Sequence, residues 1–231
     1  MSQNNEINQI INQAKSEARS EKIAKFFSKN SKTIFSILVF AVVVLVIYFV
    51  FNLYKNSQEE KYSEILQLSI IDEQTGNINK AKEALKNIAG NKSVPSGVKS
   101  IASLRYAAIL LNEGKKSEAL DIYKTLSNCS SCDSYIKDLG GLLMIKILVA
   151  DEVESQKPEL LEIISEIENK SSELKYEIIE QKAIAEMQKN EFEKAYASFN
   201  SIVNNPEVSR NLKERAKEGL SIVVSKGYRP K

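Results

Sequence analysis

The sequence predicts an all-α protein in which one N-terminal transmembrane helix is followed by an α-solenoid of about four helix pairs and a capping helix. Three observations support this fold class. A run of 22 residues without a charge extends from Thr33 to Tyr54. Beyond it, apolar residues recur at helical spacing, and the sequence has neither sustained period-two runs nor Asn-Gly or Asp-Gly hairpin turns. One motif also recurs at intervals of 38 and 76 residues.

The composition excludes several kinds of enzyme. The 231 residues contain no histidine, which excludes a Ser-His-Asp triad, a Cys-His dyad and a histidine zinc site. They contain neither a G-x-x-x-x-G-K-[ST] loop nor a G-x-G-x-x-G motif. No basic stripe interleaved with aromatic residues points to nucleic acid. We therefore expect a protein that is not an enzyme, needs no cofactor or metal and does not bind nucleic acid.

Residues 1–32 form a basic tail with six basic and three acidic side chains. Because positive charge resists translocation, we expect the N-terminus in the cytoplasm and residues 55–231 on the outer side of the membrane. Within the tail, Ile7, Ile10 and Ile11 follow helical spacing. Two interpretations remain open for them: a short helix on the membrane surface, or a helix that docks on a membrane partner.

The predicted transmembrane helix covers residues 33–54. Its core, from Ile34 to Leu53, has Ser36 and Asn52 as its clearly polar residues. At a rise of about 1.5 Å per residue this core extends about 30 Å, which matches the hydrocarbon layer of a bilayer. Backbone polar groups must be satisfied within lipid, so the segment should be helical. A buried core helix is one alternative, and a cleaved signal peptide, which the length of the run disfavours, is another.

Three segments of the outer domain share one motif. In each, Gly or Asn is followed five residues later by Ala, and a large apolar residue comes four positions after the Ala. Gly and Asn tolerate the left-handed conformation that ends a helix, and Ala allows the next helix to approach closely. The motif residues are Gly76, Ala81 and Leu85, then Gly114, Ala119 and Tyr123, and finally Asn190, Ala195 and Phe199.

The motif intervals predict a fourth, degenerate unit between the second and third copies. The segment from Pro158 to Ile164 aligns with the second copy and places Leu160 where Ala is expected. Pro158 would then occupy the first turn of a helix, where proline is tolerated. A last amphipathic helix from Leu212 to Val224 would close the end of the solenoid.

The G-x-x-x-x-A-x-x-x-(Y/F/L) pattern resembles tetratricopeptide repeats. The segment E-K-I-A-K-F-F-S-K-N-S-K, followed by one span and a helical repeat domain, resembles the bacterial ancillary subunit of the Sec translocon. This resemblance implies a place in the inner membrane with the repeats in the periplasm. It also implies association with the Sec channel and contact with exported proteins or periplasmic chaperones. Related domains occur in a cell-division coordinator, so a scaffold for envelope or division assembly is the alternative.

Cys129 and Cys132 are the two cysteines of the chain, in the sequence N-C-S-S-C-D. In an oxidising periplasm we expect a disulfide across this short loop. A redox-active dithiol and a pair of free thiols are alternatives, whereas zinc is disfavoured because two thiolates leave two ligand positions empty.

The leading functional hypothesis is a membrane-tethered, chaperone-like scaffold that binds proteins. Tethering raises the effective concentration of the repeats near a membrane complex. We expect Arg105, Tyr106 and Tyr176 to line its binding groove. A membrane-anchored thiol oxidoreductase that uses Cys129 and Cys132 is the remaining alternative.

Overall fold

The computed structural model of the chain describes residues 31–229. These residues form ten α-helices and no strand, which confirms the all-α class. The predicted tail, residues 1–32, lies outside the described residues except for its last two positions. In chain order the helices are α1 Ser31–Gln74, α2 Ile78–Gly90, α3 Ser96–Asn112, α4 Lys116–Ser127, α5 Ser134–Ala150, α6 Glu152–Gln156, α7 Glu159–Lys170, α8 Lys175–Gln188, α9 Phe192–Asn204 and α10 Arg210–Ser225.

The chain divides after Ser57 into two compact units. In the first unit, the predicted span from Ile34 to Leu53 lies within α1. This helix is long and apolar enough to cross a membrane, and its large apolar side chains between Phe40 and Tyr54 are exposed. Residues 31–74 contain neither Gly nor Pro, so no residue of the segment interrupts the helix.

In the second unit, three short turns share one backbone conformation. Gly76, Gly114 and Asn190 have φ angles of 85°, 77° and 60°. In each turn the amide of the next residue donates to the carbonyl oxygen five residues before it, at 2.8–2.9 Å. The amide of the left-handed residue itself donates to the carbonyl three residues before it, at 3.0–3.2 Å. This pair of bonds is the Schellman arrangement, which satisfies the last carbonyls of α1, α3 and α8.

The motif alanines lie where consecutive helices meet. Ala81, Ala119 and Ala195 are each 0% exposed. The large residues four positions later, Leu85, Tyr123 and Phe199, are at most 3% exposed. Because Ala and the residue four positions on share one helix face, the small side chain admits the neighbouring helix and the large one fills the space beside it.

The segment between the second and third motif copies also forms helices packed on each other. Leu160 is 2% exposed and joins a core cluster with Ile145 and Ile164, from α5 and α7. Pro158 is the N-cap of α7, which begins one residue later, at Glu159. The short helix α6 precedes it and was not predicted from the sequence. The predicted last helix, Leu212 to Val224, lies within α10, which packs on α9.

Glycines in α5 and α10 lie where a neighbouring helix approaches closely. A Cβ atom built on Gly140 of α5 would lie 3.0 Å from the Tyr123 carbonyl oxygen and 2.9 Å from the Leu126 Cβ atom of α4. A Cβ atom on Gly219 of α10 would lie 2.5 Å from the Phe199 ring. These glycines therefore serve close packing.

Buried charged side chains connect elements that are far apart in sequence. Asp138 of α5 is 5% exposed, and its Oδ2 atom accepts hydrogen bonds from the amides of residues 172–174 at 2.8–3.2 Å. These amides precede α8, so Asp138 caps a helix of the next pair. Arg215 of α10 donates to both carboxylate oxygens of Glu180 in α8, at 2.7 and 2.8 Å. Because this bidentate pair has a defined geometry, it fixes the orientation of α8 relative to α10.

Glu186 of α8 is a buried carboxyl without a basic partner in hydrogen-bond contact. It is 4% exposed, and its Oε2 atom accepts a hydrogen bond from the Ser198 hydroxyl of α9 at 2.8 Å. Burial raises the pKa of Glu186 above its ordinary value, and the bond from Ser198 opposes that rise only in part. The folded protein therefore holds the proton of Glu186 more strongly than the unfolded chain does.

We expect Gly140→Ala to lower the stability of the second unit. The new methyl group would meet the α4 backbone, and overpacking of this kind costs about 1–3 kcal/mol. The matched control is Gly97→Ala in α3, where an added Cβ atom has no neighbour within 4 Å. That change should leave the midpoint of thermal unfolding, measured by circular dichroism on the purified chain, unchanged or slightly raised. Equal effects of the two substitutions would contradict the close packing at Gly140.

We expect Glu186→Gln to raise the unfolding midpoint at pH 7. Because the folded pKa is raised, stability from this carboxyl is fully present below its ordinary value of 4.5 and is lost as pH rises through the folded pKa. The amide can still accept the Ser198 hydrogen bond, so the gain should shrink as pH falls toward 4.5. Glu193→Gln, at an exposed position of α9, is the control. If the gain in unfolding midpoint stayed constant across this pH range, it would contradict a raised pKa for Glu186 in the folded protein.

Candidate functional site

A groove with a volume of about 940 Å³ lies between α2 and α4. Helix α3 forms its floor, because α2 and α4 both pack on α3. The loop between α4 and α5, which contains Cys129 and Cys132, closes one side. This volume is at the upper end of the range of about 300–1,000 Å³ that is typical of ligand sites. The groove is open to solvent, so it suits a segment of an extended chain.

The lining of the groove combines apolar and hydroxyl groups. Its apolar lining includes Tyr106 and Ile122, which are partly exposed, and the buried Leu126. On α3, the Ser100 and Ser103 hydroxyls donate to the carbonyl oxygens four residues before them, at 2.7 and 2.8 Å. Their hydrogens are therefore already used within the helix, and their remaining lone pairs can only accept.

Cys129 and Cys132 are joined by a disulfide at the side of the groove. Their Cα atoms lie 5.4 Å apart, within the normal range for a disulfide. The Cys132 sulfur lies 3.2 Å from the Ser100 hydroxyl of α3. The next residue, Asp133, accepts a hydrogen bond from the Tyr135 amide and caps α5. The disulfide thus holds the loop against the floor of the groove.

Lysine residues give the groove a positive charge. Lys86 of α2, Lys99 of α3 and Lys124 of α4 line it, together with one acidic residue, Asp121. Among the residues that the structure describes, no carboxylate lies within ion-pair distance of these three ammonium groups. The sequence pattern did not reveal this cluster, because the three lysines come from different helices.

The structure places the three residues expected to line the groove in different surroundings. Tyr106 lines the groove between α2 and α4. Arg105 is paired with Glu73 of α1 at 2.9 Å. Tyr176 packs against the core cluster of α8, α9 and α10, and its hydroxyl is hydrogen-bonded to the Asn205 side chain. The structure therefore brings only Tyr106 to this groove.

A second cavity, of about 480 Å³, lies beside Tyr123 and Ile147. Lys116 and Asp151 form an ion pair at its edge. The hydrogen bond from Lys116, helped by backbone amides at the start of α6, lowers the pKa of Asp151 to about 2. Because Lys116 and Asp151 compensate each other, Lys146 is the one lysine of this lining left for a charged ligand, against three in the groove.

The described residues contain no group of three or more His, Cys, Asp or Glu side chains that could hold a metal ion. Comparison of the chain with protein-family models, with curated protein sequences and with solved structures found no match. The function is therefore inferred from the groove, the exposed apolar helix and the sequence.

We expect the double substitution Cys129→Ser and Cys132→Ser to lower the free energy of unfolding by about 2 kcal/mol, the chain-entropy value for so short a loop. Alkylation and mass spectrometry should find no reactive thiol in the native chain before reduction and two after it. The single substitution Ser130→Ala, inside the same loop, is the control and should leave stability nearly unchanged. Full alkylation without reduction would show that the disulfide is absent.

Proposed function

We propose that this chain is a single-pass membrane protein whose C-terminal unit is a tetratricopeptide-like scaffold that binds segments of other proteins. In this proposal the N-terminus is cytoplasmic and residues 55–231 lie in the periplasm. The single observation that carries the binding function is the open groove between α2 and α4. It combines apolar and hydroxyl side chains with three lysines, and none of these lysines forms an ion pair with a carboxylate of the described residues.

The membrane placement is supported by the exposed apolar side chains of α1. A soluble protein rarely exposes so long a run of Phe, Val, Leu and Ile. Lipid would cover these side chains at no cost, and the helix satisfies its own backbone polar groups. The excess of basic residues in the tail supports the cytoplasmic N-terminus.

The scaffold function is supported by the way the second unit is built. Its repeated motif residues all serve turns or helix packing: the left-handed turns, the buried alanines and the large residues beside them. Stacking of similar helix pairs produces extended surfaces that bind polypeptide segments, which is the usual role of such solenoids. The disulfide lies in a loop between helices and fits a structural role.

We further propose that the partners are Sec translocon components, exported proteins or periplasmic chaperones. The support is the resemblance of residues 21–32, the span and the repeats to the ancillary subunit of the Sec translocon. The alternative is a scaffold for envelope or division assembly, which would have the same fold and a different set of partners.

A photoreactive amino acid at Thr125, an exposed residue of the groove, should trap Sec components or exported proteins in living cells. The same amino acid at Glu218, an exposed position of α10, is the control and should trap few or none of these proteins. Trapped proteins are identified by mass spectrometry. Similar products from both positions, or none from Thr125, would contradict the proposed groove.

The same experiment separates the two pathways and checks the topology. Recovery of only cell-wall or division proteins would favour the assembly alternative. With both native cysteines replaced by serine, Ser225→Cys should react with a membrane-impermeant maleimide in spheroplasts and stay unreactive in inverted vesicles. The opposite labelling would reject a periplasmic second unit.

A further inference from the structure

We propose that the groove between α2 and α4 selects acidic polypeptide segments, and that Lys86, Lys99 and Lys124 provide this selectivity. The inference rests on the proposed scaffold function, because it names the chemistry of the segment that the groove holds. It goes beyond that function by predicting which exported or partner sequences bind.

The stability of α3 does not explain why position 99 is a lysine. It lies in the first turn of α3, where the helix dipole is positive and a lysine is unfavourable. This turn contains no acidic residue, and its N-cap, Pro95, has no side chain that could accept the free amides. By contrast, Lys124 lies in the last turn of α4, where a positive charge is favourable. Within α3 itself, neither the first turn nor the N-cap therefore compensates the positive potential at Lys99.

Lys86 and Lys124 extend this positive region to both walls of the groove. Lys86 is an exposed residue of α2 and Lys124 an exposed residue of α4, so their ammonium groups can approach a ligand from opposite sides. The lining contains one opposing charge, that of Asp121. A carboxylate that reaches this region would gain charge-assisted hydrogen bonds without breaking an existing ion pair.

The rest of the lining fits an extended chain with apolar residues between its acidic ones. Tyr106, Ile122 and Leu126 offer apolar contact surface beside the lysines. Side chains of an extended segment alternate between two faces. A segment that alternates acidic and apolar residues could therefore place its apolar side chains on this surface and its carboxylates beside the lysines at the walls.

The charges of the two terminal segments also disfavour binding of either segment in the groove. Residues 1–30 contain five basic and three acidic side chains, and residues 230–231 add Lys231. These segments would be repelled from a positively charged groove. The occupant that the charges favour is thus an acidic segment of a different polypeptide.

The test measures binding of labelled peptides to the full chain in nanodiscs of neutral phosphatidylcholine. The peptides have about ten residues, about 33 Å when extended, and alternate Glu with Leu or Val. The comparison peptides have Gln or Lys in place of every Glu. We expect the Glu peptide to bind at least tenfold more tightly than the Gln peptide and the Lys peptide not to bind. This preference should weaken with salt, since screening shortens the Debye length from about 10 Å at 0.1 M to about 3 Å at 1 M.

Two triple variants of equal net charge separate the groove from a general electrostatic effect. The groove variant is Lys86→Glu, Lys99→Glu and Lys124→Glu. The control variant is Lys175→Glu, Lys217→Glu and Lys226→Glu, at exposed positions that do not line the groove. We expect the groove variant to lose at least tenfold in affinity for the Glu peptide and the control variant to lose less than threefold. Circular dichroism should show that both variants remain folded.

Several outcomes would overturn the inference. Equal binding of the Glu and Gln peptides would show that the groove does not distinguish charged from neutral side chains. Equal losses of affinity in the two triple variants would show that the groove lysines do not provide the selectivity. If phosphatidylglycerol in the nanodiscs abolished peptide binding through the same lysines, a lipid headgroup would be their ligand instead.

Failure of the inference can be distinguished from failure of the proposed function. If the photoreactive amino acid at Thr125 traps proteins in cells but the Glu peptide has no advantage, the groove binds polypeptides without acidic selectivity. If Thr125 traps nothing and no peptide binds, the groove is not a binding site and both proposals fail.

Discussion

The packing of consecutive helices at the motif alanines is the constraint on which the second unit depends. Ala81, Ala119 and Ala195 are each 0% exposed, and a methyl group is the whole of each side chain. The turns before these helices contain a left-handed residue, which reverses the chain within three residues. The turn and the alanine act together, because the turn brings the second helix back and the alanine lets it make contact. Hydrophobic burial of the residue four positions later then supplies most of the stabilisation.

The groove is a consequence of this packing. Helices α2 and α4 each follow a left-handed turn and carry a motif alanine, and each packs on α3. Their separation leaves α3 as an exposed floor, and the short disulfide loop after α4 closes one side. A groove made in this way does not need an additional helix or a long loop dedicated to binding. Its chemistry is set by the side chains that two neighbouring pairs present to each other.

Charges within the second unit have two different roles. Asp138, Glu180 and Glu186 are buried and hydrogen-bonded to other elements, so they align helices of the second unit with one another. Buried charges of this kind require partners, because an unpaired charge in a low-dielectric interior is costly. The lysines of the groove form no ion pair with a carboxylate of the described residues. This contrast between hydrogen-bonded interior carboxylates and unpaired groove lysines supports a binding function for the groove.

The linear sequence was sufficient to predict the all-α class, the left-handed turns and the buried motif alanines, although not the short helix α6. Each of these predicted features depends on residue types within a few positions of one another, and local backbone preference and helical period determine them. The helix around Leu160 was predicted from the longer interval between motif copies. The length and apolarity of α1 are likewise local properties. Only the tertiary structure decided which distant residues meet: Asp138 with the start of α8, Gly219 with Phe199, and three lysines around one groove. Helical periodicity indicates which face of a helix is buried, but the crossing of two helices determines the partner of each residue on that face. For the same reason the sequence predicted three residues for the groove, and the tertiary structure brought only Tyr106 to it.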